Sequence, residues 1–360
     1  MPGHRALSHS CLFAGGLLII TLGVGSRHAD AARDVALPGP APRGNLPQDT
    51  VRANRRCALC HRSIVEEWKR SLHRHSYDDP YFARALRIEP VNFCRKCHAA
   101  DADPNRDPDP AIAADGVSCL TCHWTKVGVV GAHGTGNQQI VDHDASGDAR
   151  LGDDRACGNC HQFDFPTKAG AVSVTPMQDT VREHEASAYP GIPCQGCHMP
   201  LVNDSDGTKH HRHDFAVQGD RGFLAHAVRI ELVQRTPNGV TVALFSGRIG
   251  HAFPTGDLFR SAELELWTSA SPGRKAKPLI VRLERGYTQD RVNQARHVAG
   301  DTRLVPKGGN RDSRLIKVPL QTSTEPIHYR LTWLRMPDGL AKLLSFDPLK
   351  QRQVILEGTL

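Results

Sequence analysis

Two spacings of apolar residues divide this chain. Up to about residue 220 they are sparse and follow a helical period. Ile64, Val65, Trp68 and Leu72 recur at i, i+1, i+4 and i+8, one face of a helix over Ser63–His73. Thr180 to Ser187 reads as a second short helix. From about Gly222 the period becomes two. Val228-Arg229-Ile230-Glu231-Leu232 and Val240-Thr241-Val242-Ala243-Leu244 flank Asn238-Gly239, a hairpin signal. Glu263–Trp267 and Tyr329–Trp333 alternate as well, and Leu279–Arg285 is a further strand. Short strands between Gly/Pro turns predict an all-β, sandwich-like domain over 221–360. The expected order is a signal segment over 1–31, a Pro-rich linker over 32–50, an α-rich domain with little regular structure over 51–220, and the β domain.

The signal segment rests on a short polar start, an apolar run from Leu12 to Val24, and Ala29-Asp30-Ala31 as a small-x-small cleavage site. An apolar run of about 13 residues falls short of the roughly 20 that span a bilayer, so cleavage after export to the periplasm or the cell surface is expected.

The α-rich stretch carries the chemistry. C-x-x-C-H occurs five times: Cys57/Cys60/His61, Cys94/Cys97/His98, Cys119/Cys122/His123, Cys157/Cys160/His161 and Cys194/Cys197/His198. Two thiols three residues apart can add across the two vinyl groups of a haem, and the next histidine then lies under the iron. The motifs use ten of 11 cysteines, and Cys11 lies in the signal segment, so no thiol is left for a disulfide. Five covalent haem c groups are therefore expected. Zinc at each motif would need more ligands per metal and would not require the histidine register. Residues 57–198 give each haem under about 30 residues, too few to wrap it singly. The macrocycles must pack on one another and replace much of the apolar interior. A low aromatic content, 6%, agrees with this. The formal charge of +7 is offset by about ten propionates. Without a Lys/Arg run interleaved with aromatics, no nucleic-acid partner is expected.

Histidine, not methionine, should supply the second axial ligands. Outside the signal segment only Met177, Met199 and Met336 are present, and Met199 adjoins its own proximal His198. His73 lies about three turns beyond His61 on the expected helix, so one helix would serve two haems; His75 competes with it. His133 or His143 follows the third motif, and His184 is a weaker candidate. In His210-His211-Arg212-His213, His213 and His210 are preferred. His251, in Gly250-His251-Ala252-Phe253-Pro254-Thr255-Gly256, either caps a haem from the β domain or is bonded within its own turn. The acidic stretch Asp101–Asp115 lacks the spacing of an EF-hand and reads as a solvated loop.

The first motif with Trp68-x-x-Ser71-x-His73 and Asp79-Pro80-x-Phe82 resembles the cytochrome c-554 family, and more broadly the multihaem cytochromes related to hydroxylamine oxidoreductase. Gly116-Val117-Ser118-Cys119, Gly191-Ile192-Pro193-Cys194 and Cys197-His198-Met199-Pro200 extend the likeness over about residues 55 to 215. The resemblance implies that His73 is a distal haem ligand. Trp124-Thr125-Lys126 departs from it, since relatives often have Gly-Pro-Gly there. The expected role is an electron relay between redox partner proteins, one of which can be membrane-associated. The alternatives are an oxidoreductase of small nitrogen or sulfur species with one open haem, and a subunit of an extracellular haem conduit. No C-x-x-C-K motif, the mark of the catalytic haem in related nitrite reductases, is present. The β domain has no nucleophile–base constellation and is expected to dock a partner, another copy or the haem domain.

Overall fold

The structure, a computed structural model, describes residues 46, 49–125, 128–132, 145–165, 175–215, 217, 219–268, 277–290, 296–306, 313–319 and 324–360. The signal segment lies outside these residues. All of them fall in one compact unit. The N-terminal part is built from short helices: α1 (Thr50–Cys60), α2 (Arg62–Lys69), α3 (Pro80–Ile88), α4 (Asn92–His98), α5 (Pro110–Asp115), α6 (Cys119–His123), α7 (Arg155–His161), α8 (Thr180–Glu185) and α9 (Cys194–His198). Asp49, Asp79, Asp109 and Ser118 cap α1, α3, α5 and α6 by accepting from the first-turn amides, and Pro80 and Pro110 start their helices where no amide donor is missed. Among the described residues no helix is long and apolar enough to cross a membrane.

The helix expected over 63–73 is shorter than its pattern. α2 stops at Lys69, and His73 is presented from the turn that follows. The break has a local cause. The buried Ser71 hydroxyl accepts from the Arg74 amide (3.1 Å), while Val117 donates its amide to the His73 carbonyl (2.9 Å) and accepts from the Trp68 indole (2.8 Å). Gly116 makes this approach feasible. Its φ is +57°, and a Cβ there would lie 2.5 Å from the His73 carbonyl oxygen and 2.6 Å from that of Arg74.

The C-terminal part contains β1 (Val228–Thr236), β2 (Gly239–Ser246), β3 (Ser261–Thr268), β4 (Leu279–Leu283), β5 (Arg285–Gln289), β6 (Arg296–Asp301), β7 (Ser313–Pro319), β8 (Ile327–Leu334) and β9 (Arg352–Thr359), with α10 (Arg221–Ala225) before them and α11 (Asp338–Leu343) between the last two. Every pairing among these strands is antiparallel. The orders are β7-β2-β1, β4-β3-β8-β9 and β5-β6. The Asn238-Gly239 signal makes the β1–β2 hairpin, in which Thr236 pairs with Gly239. The single strand expected over 279–285 is two, because Glu284 ends β4 and β5 pairs with a different neighbour. Val242 and Leu244 of β2, Ile316 and Val318 of β7, Leu264 and Leu266 of β3, and Leu331 and Trp333 of β8 meet in one core. Alternate residues of the larger sheets thus face each other, as period-two patterning requires.

Candidate haem-binding site

Each motif lies on a single helical turn or at its end, which brings the two cysteines and the histidine (i, i+3, i+4) to one side. Side chains from all five line one cavity of about 3170 Å³, against roughly 300–1,000 Å³ for an ordinary small-molecule site. Thiols of different motifs adjoin in pairs: Cys57 with Cys119, Cys97 with Cys160, and Cys157 with Cys194. The hydrogen bond from Cys119 draws the Cys57 thiol down to about 7 against the opposing effect of burial, and the same contact pushes Cys119 up. Motif one therefore adjoins three, two adjoins four, and four adjoins five, an order that chain position does not give.

Several of the cavity's histidines are held through Nδ1. Nδ1 of His98 donates to the Ser76 carbonyl (2.6 Å), that of His123 to Val130 (2.9 Å), and that of His161 to the Gln178 side-chain oxygen (3.2 Å). Among the expected distal residues, Nδ1 of His213 donates to the His211 carbonyl (2.5 Å) and that of His251 to Ala252 (3.0 Å). A carbonyl only accepts, so the proton stays on Nδ1 and the Nε2 lone pair is left for a metal. Burial lowers the pKa of His73 to about 3, with His161 adding to the effect. Burial first, then the facing imidazole, takes His198 and His213 to about 4. These rings are thus neutral, the ligating form, at neutral pH.

Three imidazole pairs stand across the cavity. Ring centres are 6.2 Å apart for His73 and His161, 6.3 Å for His123 and His213, and 6.1 Å for His198 and His251. With about 2.0 Å from nitrogen to metal and about 1.1 Å from nitrogen to ring centre, two rings on opposite sides of one metal have centres about 6.2 Å apart. The residues present therefore fit haem c: thiol pairs on single turns, proton-free Nε2 atoms, and a cavity of matching scale.

The other expected site residues fall as follows. His61 lines the cavity, and His133 and His143 lie outside the described residues. His75 is exposed and bonded to Asp78 (3.0 Å). His210 is not among the cavity's lining residues. Its Nε2 is 3.2 Å from Glu67 and its Nδ1 3.3 Å from Asp204, which makes it a strut between α2 and the 204–213 segment. The neighbouring His211, bonded through Nδ1 to the Met199 carbonyl (2.6 Å), does line the cavity. His184 is buried, with Nδ1 2.8 Å from the Gly250 carbonyl and Nε2 2.9 Å from that of Ile192. The acidic stretch is not simply a solvated loop. Asp101 is buried and accepts from Ser118 and from Thr121 (3.0 Å), fixing the turn that carries the third motif. Asp107 pairs with Arg95 of the second motif. Among the described residues no three His, Cys, Asp or Glu side chains converge as a metal-ion site of their own.

Fold and site together define a multihaem c-type cytochrome architecture. Residues 56–124 match the model of the family described as cytochrome c554 and c-prime, a span that holds the first three motifs. The fold is similar to that of a penta-haem cytochrome c552 from Thermochromatium tepidum. The TM-score is 0.64 at 19% identity, over 84% of this chain and 97% of that one. No curated protein matches.

Proposed function

We propose that this protein holds five haem c groups through its ten motif cysteines and relays electrons between redox partner proteins after export to the periplasm or the cell surface. Haem c, when bound, supplies reversible one-electron chemistry at iron. The three imidazole pairs at 6.1–6.3 Å carry the reading. Each pair could hold one haem iron from both sides, which would favour low potentials and electron transfer over substrate binding. The adjoining thiols give the relay its continuity. Motif four touches two and five, Cys122 of motif three is within electrostatic range of Cys160, and motif one adjoins three. His73 further ties the segment after motif one to the iron site of motif four. A membrane-associated partner and self-association through the β domain remain parts of this proposal. The test is a haem count by mass and pyridine haemochrome, with electron paramagnetic resonance of the purified protein. Five covalent haems, predominantly low-spin, support the relay; a colourless chain ends it.

One observation favours a second reading, an oxidoreductase of small nitrogen or sulfur species. Among the described residues no imidazole stands opposite His98. Phe82 stacks on the face of the His98 ring, at 3.7 Å and 5°. Asp257 and Asp79 are close enough to act electrostatically on His98, and Arg260 lines the same cavity without a carboxylate ion pair among the described residues. A high-spin iron that disappears on Cys94→Ala/Cys97→Ala substitution, together with turnover of nitrite or hydroxylamine, would select this reading over the relay.

A further inference from the structure

α8 contributes no cysteine and no paired imidazole, yet two of its side chains are buried and converge on the loop that carries His251. Glu183 accepts from the Ala252 amide (3.2 Å) and the Thr255 hydroxyl (2.7 Å) through one carboxylate oxygen. Its other oxygen is 2.8 Å from the Arg303 guanidinium and 3.9 Å from that of Arg285. Arg303 in turn donates to the Pro254 carbonyl (3.2 Å), and Thr180 of α8 bonds to Thr255 (3.1 Å). His184 links the His251 loop to the segment before the fifth motif. Nδ1 holds the Gly250 carbonyl, directly before His251, while Nε2 holds the Ile192 carbonyl, two residues before Cys194. Asp154, 3.3 Å from that Nε2, also accepts from the Cys194 amide (2.8 Å). A Cβ on Gly250 would lie 2.7 Å from His184 Nδ1, so glycine is required for this contact.

We infer that Glu183 and His184 are positioning residues that lock the Gly250–Gly256 loop of the β domain in register with the fifth motif, so that His251 stays opposite His198. Neither touches the iron; each acts through the loop. One oxygen of this buried carboxylate takes both loop donors, while the other is held at ion-pair distance from the two arginines without an aligned hydrogen bond, so pulling the loop away would strand a buried charge. The inference rests on the reading of His251 as an axial ligand. It adds that ligation of the fifth haem reports whether the β domain is docked.

The experiment uses the full haem-loaded protein. His251→Gly tests the underlying reading. It should convert one haem per chain to high spin, make that haem bind carbon monoxide when reduced, and be reversed by added imidazole. If His251→Gly stays fully low-spin, the ligation reading fails. Glu183→Gln, Gly250→Ala and Thr255→Val test the positioning. Each should make up to one haem per chain reactive to carbon monoxide, whereas Thr255→Ser, which keeps the hydroxyl, should match the parent. Should Glu183→Gln fail to accumulate, the milder Gly250→Ala and Thr255→Val decide. Parent-like spin state and carbon monoxide reactivity in those variants, alongside a high-spin His251→Gly, would overturn the inference.

Discussion

At the scale of the residue, His73 shows how a short turn fixes one buried imidazole in the cavity. Its carbonyl is fixed by the Val117 amide, its ring packs edge-on against Phe215 at 4.2 Å, and it stands across from His161. Burial keeps it neutral, so no proton competes for its nitrogen near pH 7. His73→Ala should convert the haem of the fourth motif alone from low to high spin, which electron paramagnetic resonance would count; an unchanged low-spin signal would remove His73 from the ligand set. Gly116 is the residue on which this presentation depends. Gly116→Ala must leave the left-handed region or push aside the His73 and Arg74 carbonyls, at a cost of about 2–5 kcal/mol. Thermal unfolding of the haem-loaded variant should show that loss, and the His73 haem should become partly high-spin with it.

At the scale of the element, the motif turns are too short to be stable alone and depend on caps. α6, five residues long, has a reciprocal capping box between Ser118 and Thr121, with the buried Asp101 behind both. Asp101→Ala strands two buried hydroxyls and should cost about 1–3 kcal/mol. Asp109→Ala, at an exposed helix start, should cost about 1 kcal/mol or less. Chemical denaturation of the two variants side by side checks the order. Asp301, at the end of β6, gives a pH prediction. Burial works to raise the Asp301 carboxyl, but Arg303, and Arg285 after it, hold it below its ordinary value. Between that lowered value and the ordinary one near 3.8 the unfolded chain binds a proton that the folded chain does not. This contribution is therefore complete above about pH 5 and is lost as pH falls through 3.8 and below. The stability of Asp301→Asn should fall less steeply than the parent's over that acid range. These examples also mark what sequence can disclose. The C-x-x-C-H turns and the Asn238-Gly239 hairpin are local and legible. The end of α2 is set by Val117, the burial of Asp101 by Ser118 and Thr121, and the position of His210 by Glu67, far off in the chain. Periodicity holds no record of such partners. His213 and His210 are alike in the sequence, yet only His213 lines the cavity, a three-dimensional fact.

At the scale of the whole molecule, the two halves are stabilised differently. Before Ala227 the buried apolar side chains described are Val65, Ala99, Ala100, Leu120, Val130 and Phe165, two of them alanines, and the cavity lies among their helices. The strands that follow share one continuous side-chain core from Ala227 to Ile355. The halves join through polar and aromatic contacts: Asp79 with Arg335, Tyr81 against Phe346 at 4.3 Å, and Tyr287 donating to the Pro176 carbonyl at 3.1 Å. A region of helices this short, with so few buried methylenes, does not offset its own chain entropy. Haem macrocycles held by the motif cysteines would supply the missing apolar contact, most of all around motif four, which adjoins two others. Replacing Cys157 and Cys160 by alanine should then cost more than one haem. The N-terminal region should loosen as a unit, while the β domain, about 140 residues with its own core, stays folded. Limited trypsin digestion of that variant should degrade the chain up to about Arg221–Arg229 and leave a protected C-terminal fragment, whereas the parent should resist throughout. Equal resistance in variant and parent would show that the helices hold without their haems, and loss of both halves together would show that the β core depends on them.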